Sequence, residues 1–472
     1  MTAAGPFVLE LALGALMLAV FLATLLARGP DRRVVAWIAT AGVAAIALGA
    51  LFVEPAPPAL GGMFVQDGLA VFVKRLFLWA TVIGLLGGLA LPGPAFARRA
   101  GEYHLLLLSS LLGMLVLASA RDLILIFLAF ELMSIPLYLL AGFTKREPAS
   151  VEASLKFFVV GSVSSAVLAY GLSFLYGVTG STDLGRVGAA LTTGDPLLWL
   201  GLAAVLAGLA FKIAAVPFHM WVPDTYEAAA TPFVAWLSVT PKAAGFVVLF
   251  RVYFEGAGEQ AVVWVPVAAA LATVTMLAGN LMALPQQNAK RLLAYSGIAQ
   301  IGYMLVGFAA ASAAGTAMVL FYLVAYVFGN MGAFLVVDAV ARHEGSEHVA
   351  ALRGLAQRSP LLALAMLLFL LSLGGIPFVA GFWAKLYVFL AAAERGLYWL
   401  VLVAAILTVV ALFYYLALAR QMYIERPART ERVPLPPSLA AAILIAVVGV
   451  VALGVYPKPV VMAALRVAAP LF

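Results

Sequence analysis

The chain has 472 residues, of which 65% are hydrophobic and 10% are charged, and its formal net charge is +7. An ordinary globular domain has about 25% charged residues, so this composition excludes a soluble fold. The absence of cysteine excludes disulfides, cysteine-ligated zinc and the usual ligands of iron–sulfur clusters. Since a membrane span needs about 20 apolar residues, the sequence predicts an all-α polytopic membrane protein.

Apolar runs bounded by charged residues, proline or glycine predict about fourteen membrane spans, numbered here in chain order. They are Phe7–Leu26, Val34–Val53, Leu69–Leu91, Tyr103–Ala120, Leu123–Phe143, Leu155–Gly177, Leu197–Pro217, Pro232–Tyr253, Val262–Leu284, Leu292–Ala311, Thr316–Ala339, Leu361–Ala391, Trp399–Leu418 and Leu439–Val455. No linker is long enough for a soluble domain, so residues 1–472 are expected to form a single membrane domain.

The basic residues in the loops predict the orientation of the chain. Loops after the odd-numbered spans contain sixteen arginines and lysines, whereas loops after the even-numbered spans contain four, which are Arg121, Arg186, Arg251 and Arg395. Because basic loops stay in the cytoplasm, both termini are expected on the outer side. The net charge is therefore interpreted as a topology signal, and no nucleic-acid partner is expected.

Two of the predicted spans contain helix breakers. Leu361–Ala391 would be about 46 Å long as a straight helix, too long for a hydrocarbon core of about 30 Å. It contains LGGIPFVAGF (Leu373–Phe382), and span 7 ends in KIAAVPFHMWVP (Lys212–Pro223). Broken helices that run in opposite directions suggest two inverted five-helix repeats, spans 4–8 (103–253) and spans 9–13 (262–418).

Six basic side chains are assigned to the predicted spans, and one carboxylate lies near the middle of a span. An intramembrane charge costs at least about 2.5–3.5 kcal/mol, so each needs a reason. They are Lys74, Arg75, Glu131, Lys156, Lys212, Lys242 and Lys385. Glu131 lies alone near the middle of span 5, where it is interpreted as a proton-relay carboxylate or, alternatively, as a structural carboxylate neutralised by a neighbour.

The lysines differ in depth. Lys212 and Lys385 lie beside the breaks and Lys242 lies deep in span 8. Burial makes a lysine release its proton more easily, so these three are predicted relay groups, with snorkelling to the interface as the alternative for Lys212 and Lys385. The depth of Lys156 in its span is equally compatible with a relay group and with an interface residue.

Three further ionisable residues receive weaker expectations. Lys74 and Arg75 are expected to be interfacial anchors, and His219 is equally compatible with a structural and a relay role. A series of titratable groups at membrane depth suits a proton pathway and also a cation antiporter, and the residues alone do not separate the two.

Five motifs resemble the subunit N family of the bacterial proton-pumping NADH–quinone oxidoreductase, respiratory complex I. The resemblance extends from about Asp67 to Tyr423 and is carried by FELMSIPLYLLAGF (Phe130–Phe143), EASLKFFVVGSVSSAVLAYGLSFLYGVTGSTDL (Glu152–Leu184), GLAFKIAAVPFHMWVPDTYEAAATPFVAWLSVTPKAAGF (Gly208–Phe246), KRLLAYSGIAQIGYMLVGF (Lys290–Phe308) and LSLGGIPFVAGFWAKLYVF (Leu371–Phe389). It implies an antiporter-like subunit with fourteen helices and two inverted repeats, in a bacterial plasma (inner) membrane.

The resemblance also implies roles for residues. The family's glutamate of span 5 matches Glu131, and its lysines of spans 6, 7, 8 and 12 match residues 156, 212, 242 and 385. By resemblance, Glu131 and Lys212 would form an ion pair that gates proton movement to Lys242 and Lys385.

The resemblance places the chain in a translocating NADH:quinone oxidoreductase without giving it a redox centre. NADH, FMN, iron–sulfur clusters and quinone are expected on partner subunits of the membrane and peripheral arms, and no cofactor or metal is expected in this chain. Subunits of cation/proton antiporters, of membrane-bound hydrogenases and of the ferredoxin-dependent photosynthetic relative share the core and remain the alternatives.

Overall fold

The computed structural model describes residues 5–27, 32–89, 91, 94–192, 194–427 and 429–472; Arg28, one of the sixteen basic loop residues, lies outside them. The described chain is almost entirely helical, and its only β-structure is isolated bridges between loops. Thirteen helical segments of these residues are long and apolar enough to cross a membrane. The predicted all-α polytopic fold is therefore confirmed.

The first part of the described chain forms eight helices before predicted span 7. They are α1 (Val8–Leu26), α2 (Arg33–Gly49), α3 (Gly68–Gly88), α4 (Pro94–Arg98), α5 (Ala100–Ser119), α6 (Leu123–Ala141), α7 (Pro148–Thr179) and α8 (Leu184–Leu191). Helices α5 and α6 pack closely because residue 113 is glycine: a Cβ there would lie 2.4 Å from the backbone nitrogen of Met133.

Predicted span 7 and the short helices that follow it form the next part of the chain. These elements are α9 (Pro196–Ile213), α10 (Trp221–Ala228), α11 (Thr231–Leu237), α12 (Thr240–Phe250) and a π-helical turn (Arg251–Gly256). Proline begins α9 and lies in the first turn of α11 and α12, where its missing N–H has no intrahelical partner to lose.

The remaining helices surround a wholly buried centre. They are α13 (Ala261–Ala283), α14 (Ala289–Ala309), α15 (Ala313–Glu344), α16 (Leu355–Arg358), α17 (Pro360–Gly374), α18 (Ala380–Glu394), α19 (Tyr398–Tyr423), α20 (Pro437–Val455) and α21 (Lys458–Ala468). Helices α11, α12, α14 and most of α15 are buried inside the protein, whereas α1, α7, α13, α19 and α20 present exposed apolar side chains, as helices that face lipid do.

The predicted spans agree with the helices to within a few residues at most ends. The largest differences are at α7, which begins seven residues before the predicted Leu155, and at α15 and α19, which continue five residues beyond the predicted Ala339 and Leu418. Polar residues at these ends ended the apolar runs, but the helices continue past them. The bounds of the two inverted repeats remain a prediction.

Candidate functional site

The break after α9 positions Lys212. The helix ends at Ile213, Ala214 adopts a left-handed conformation with φ 65°, and helical structure resumes only at Trp221. Lys212 lies in the last turn of α9, one residue before this end, and is 1% exposed. The predicted break in span 7 is confirmed, and it places an amine at the end of a buried helix.

The second break positions Lys385. Helix α17 ends at Gly374, Gly375 and Phe378 have φ of 79° and 74°, and α18 begins at Ala380. A Cβ on Gly375 would lie 2.9 Å from Cδ of Lys385, so glycine is required here for both its conformation and its size. The predicted twelfth span is therefore two short helices, and Lys385, 4% exposed, packs against the break.

Glu131 and Lys212 each form a hydrogen bond with a different serine side chain. Nζ of Lys212 donates a hydrogen bond of 2.6 Å to Oγ of Ser134 and lies 4.8 Å from the ring centroid of Phe130. Glu131, half-buried on α6, accepts a hydrogen bond from Ser165 on α7. The ion pair implied by the resemblance is thus not formed in this structure, because each charge binds a hydroxyl group instead.

Lys242 lies beside an interruption that the sequence did not predict. Span 8 is divided at Ser238 and Val239, between α11 and α12, and Pro241 stands in the first turn of α12. Lys242 is 1% exposed, and its Nζ has no hydrogen-bond partner among the described residues. The ring of Tyr226 is 5.5 Å from it. The Thr-Pro dipeptide before Lys242 was the available sequence signal.

Lys385 faces an aromatic ring and a free carbonyl group. Its Nζ lies 4.4 Å from the ring centroid of Tyr303 and 3.4 Å from the carbonyl oxygen of Gly374. The hydroxyl of Tyr303 accepts a hydrogen bond of 3.2 Å from Nδ2 of Asn280, whose Oδ1 accepts one of 3.1 Å from Tyr414. A hydrogen-bonded series of buried polar side chains therefore begins at Tyr303, beside Lys385.

A network of buried hydroxyl and amide groups joins α14 to α15, α17 and α19. Nε2 of Gln300 donates to the carbonyl oxygen of Leu373 at 2.9 Å and to the hydroxyl of Tyr415 at 3.0 Å. Tyr322 donates to Oε1 of Gln300, and Ser296 shares a hydrogen bond of 2.5 Å with Tyr415. The sequence analysis missed this network, since a tyrosine in an apolar run is typical of packing.

Lys156 does not join the three buried lysines. Its side chain is 48% exposed and forms ion pairs of 2.7 Å with Glu152 and 2.9 Å with Asp224. Asp224 also pairs with Arg291 at 2.7 Å. Burial would raise the pKa of the Asp224 carboxyl, but the hydrogen bonds from Lys156 and Arg291 hold it below its usual value of 3.8. A relay role for Lys156 remains a prediction from resemblance.

The expected anchoring role is wrong for Lys74. This side chain is fully buried, with Nζ 2.7 Å from the Glu10 carboxylate and 3.1 Å from Oε1 of Gln66. The partner lies on α1, so no local pattern around Lys74 indicated the pair. Arg75 donates instead to carbonyl oxygens near the end of α2, including that of Ala50 at 2.9 Å, and its anchoring role remains a prediction.

Arg251 was assigned to a loop, which is wrong. Its side chain is fully buried in the π-helical turn and donates to both carboxylate oxygens of Asp67 at 3.0 Å and to Glu255 at 2.7 Å. It also donates to the carbonyl oxygen of Ala118 at 2.8 Å and 3.1 Å. Glu255 binds Arg121 at 2.6 Å. The cluster joins α3 and α5 to the end of the segment that carries Lys242.

His219 lies in the break between α9 and α10 and is half-buried. No group of three or more histidine, aspartate or glutamate side chains in the described ranges could hold a metal ion. Its relay role and its structural role both remain open.

These features define a multi-pass membrane protein of the antiporter-like class, with broken helices and buried lysines beside them. The family model described as "NADH:quinone oxidoreductase/Mrp antiporter, TM" matches residues 120–411. A relative from Moorella thermoacetica, named NADH-quinone oxidoreductase subunit N, is 40% identical over 466 residues, which cover 98% of each chain. A relative from Rhizobium meliloti, named NADH-quinone oxidoreductase subunit N 2, is 42% identical and is aligned over 85% of this chain and 84% of its own.

Two solved structures have the same fold. A chain of respiratory complex I from Thermus thermophilus is 35% identical, with a TM-score of 0.83 and coverage of 97% of this chain and 99% of its own. A chain of the Mrp complex from Dietzia is 24% identical, with a TM-score of 0.89 and coverage of 100% and 98%, and shows the fold alone. The chain belongs to the family of NADH:quinone oxidoreductase and Mrp antiporter membrane subunits.

Proposed function

We propose that this chain is a proton-translocating membrane-arm subunit of an NADH–quinone oxidoreductase. In this proposal it lies in a bacterial plasma (inner) membrane, with both termini on the periplasmic side. Protons move through a relay formed by Glu131, Lys156, Lys212, Lys242 and Lys385, with His219 as a possible further member. The relatives that are about 40% identical over most of the chain support the assignment to this enzyme.

One observation carries the relay assignment: Lys212, Lys242 and Lys385 are buried and have no carboxylate at ion-pair distance among the described residues. Other buried lysines differ, since Lys74 and Lys290 each lie 2.7 Å from a glutamate oxygen. A neighbouring carboxylate stabilises the ammonium form and holds the proton. An amine that faces hydroxyl groups, a carbonyl or an aromatic ring can exist in both protonation states.

The chemistry that drives the relay belongs to partner subunits of the membrane and peripheral arms. They would bind NADH, FMN, iron–sulfur clusters and quinone, and electron transfer there would change the electric field along this chain. A change in field alters the relative stability of the charged and neutral lysines. The residues of this chain then contribute only proton binding and release, within the two predicted repeats 103–253 and 262–418.

The test measures proton pumping and NADH:quinone turnover in the assembled complex. Glu131→Gln and Lys212→Ala should lower both severely while the complex still assembles, because each removes one proton-binding group. Lys458→Ala is the matched control, since Lys458 is exposed at the start of α21. Normal coupled activity in the first two variants would refute the relay. Ion exchange by the isolated chain in liposomes would favour a cation/proton antiporter instead.

A further inference from the structure

One face of α15 carries polar side chains from the end with the basic loops toward the centre. Asp338, Asn330 and Tyr326 are spaced eight and four residues apart, which places them within about a third of the helix circumference. All three are buried, with 5%, 0% and 2% of their surface exposed. Polar groups at such depth on an apolar helix require partners.

Several of these polar atoms have no partner within the part of the chain that the structure describes. Nδ2 of Asn330 donates to Oγ of Ser238 at 2.7 Å, but its Oδ1 accepts nothing. The hydroxyl groups of Tyr326 and Tyr226 and Nζ of Lys242 are also unpaired. An unsatisfied buried polar group destabilises the fold, and ordered water usually binds such groups where they converge.

The unpaired groups of Tyr326 and Lys242 both lie beside Gly297 on α14. A Cβ on Gly297 would lie 2.8 Å from the hydroxyl oxygen of Tyr326 and 3.4 Å from Nζ of Lys242. The two polar atoms are therefore near enough to each other for one water molecule to bridge them. Tyr326, at the inner end of this face, therefore lies close to Lys242 of the proposed relay.

The outer end of the same face is connected to solvent through charged groups. Oδ2 of Asp338 lies 2.6 Å from Nη2 of Arg342, and Lys290 is within electrostatic range of Asp338. Nζ of Lys290 donates to Glu347 at 2.7 Å, and the Glu347 side chain is 31% exposed. Asp338 is thus a buried carboxylate one and a half helical turns from the end of α15.

Aromatic rings occupy the stretch between the outer and inner parts. Asp338 and Asn330 are about 12 Å apart along the helix axis at 1.5 Å per residue. Phe334 lies between them, and its ring is 5.9 Å from that of Tyr226, centroid to centroid. Tyr226 in turn lies 5.5 Å from Nζ of Lys242. A proton route along this face would therefore need water beside these rings.

We propose that this face of α15 is the proton-uptake route to Lys242. Asp338 collects a proton from the side of the basic loops, and water that bridges Tyr326 and Lys242 beside Gly297 delivers a proton to the neutral amine. Each delivery is balanced by one proton that Asp338 regains from solvent, so no other reactant is needed. The inference rests on the proposed function, because it takes Lys242 to be a relay group.

The experiment uses the assembled complex in membrane vesicles and compares pumping rates of Lys242→Ala, Asp338→Asn and Gly297→Ala. The last variant adds one methyl group that meets the Tyr326 hydroxyl and Nζ of Lys242, and it breaks no ion pair. Gly329→Ala is its control, because a Cβ there meets its nearest neighbour, Oγ of Ser372, at an ordinary 3.5 Å. We expect Asp338→Asn and Gly297→Ala to lower pumping about tenfold, the control to pump normally, and Asp338→Glu to recover much of the rate.

The outcomes separate the route from the proposed function. Loss of pumping in Lys242→Ala together with normal pumping in Asp338→Asn and Gly297→Ala would overturn the route and leave the relay intact. Normal pumping in Lys242→Ala would overturn both. If the complex with Asp338→Asn fails to assemble, the pumping rate of Gly297→Ala alone decides whether the route holds. Failure of Asp338→Glu to recover pumping in a fully assembled complex would reduce Asp338 to a structural partner of Arg342 and overturn its role in uptake.

Discussion

Replacing Arg251 by methionine is expected to destabilise the protein strongly. The substitution keeps most of the aliphatic stem and removes the guanidinium group. Five hydrogen bonds would be lost: two to Asp67, one to Glu255 and two to the carbonyl oxygen of Ala118. The carboxylates and the carbonyl group would remain without the cation that now binds them.

The magnitude follows from what remains buried. Removing one partner of a buried ion pair costs about 3–5 kcal/mol, and leaving a buried carbonyl unsatisfied adds about 1–3 kcal/mol. Two features limit the loss: the Asp67 side chain is 34% exposed and can bind water, and Glu255 keeps Arg121 at 2.6 Å. We therefore expect a loss of about 4 kcal/mol in the free energy of unfolding.

The assay is equilibrium unfolding of the purified chain in mixed micelles with increasing SDS. The control is Arg395→Met, an exposed arginine at the same end of the molecule, which should change stability by less than about 0.5 kcal/mol. The double variant Asp67→Asn/Arg251→Met should be more stable than Arg251→Met, since it removes an uncompensated charge. A loss below about 1 kcal/mol for Arg251→Met, or no recovery in the double variant, would refute the reasoning.

Three further outcomes are expected. Gly381→Ala should abolish assembly in blue-native gels, because its Cβ would overlap the carbonyl oxygen of Ser372 at the second break. Burial would raise the pKa of the Asp224 carboxyl, but its cations hold it below 3.8, so its stabilisation is lost only as pH falls through that lowered value. The difference in Tm between wild type and Asp224→Asn should therefore be constant from about pH 5 to about pH 8. A reporter fused after Arg432 should be active in the cytoplasm, and an external signal would overturn the predicted topology.

The fold could be predicted because it depends on one-dimensional properties. Apolar runs long enough to span a bilayer give the helices, and the glycines and proline at Gly374, Gly375 and Pro377 give the second break. The interruption at Ser238 and Val239 was not predicted, since neither residue is a helix breaker. Pro241 follows it in the first turn of α12, a position at which proline is compatible with a helix.

The site was only partly predictable, because depth does not determine pairing. Depth singled out Lys212, Lys242 and Lys385, and burial of all three is confirmed. It could not show that Arg251 is paired with Asp67, a residue 184 positions away. Such pairs depend on how distant helices pack against each other, which the pattern within one helix does not contain.

The serine contacts explain how one site can hold a lysine in two protonation states. Oγ of Ser134 accepts a hydrogen bond from Lys212 and donates one of 2.6 Å to the carbonyl oxygen of Phe130. A hydroxyl group can rotate its hydrogen, so it can accept from the ammonium form and donate to the neutral amine. A carboxylate such as Glu131 can only accept. With Ser134 as the hydrogen-bond partner and Glu131 nearby but not in contact, loss of the proton leaves no buried charge directly bound to the amine.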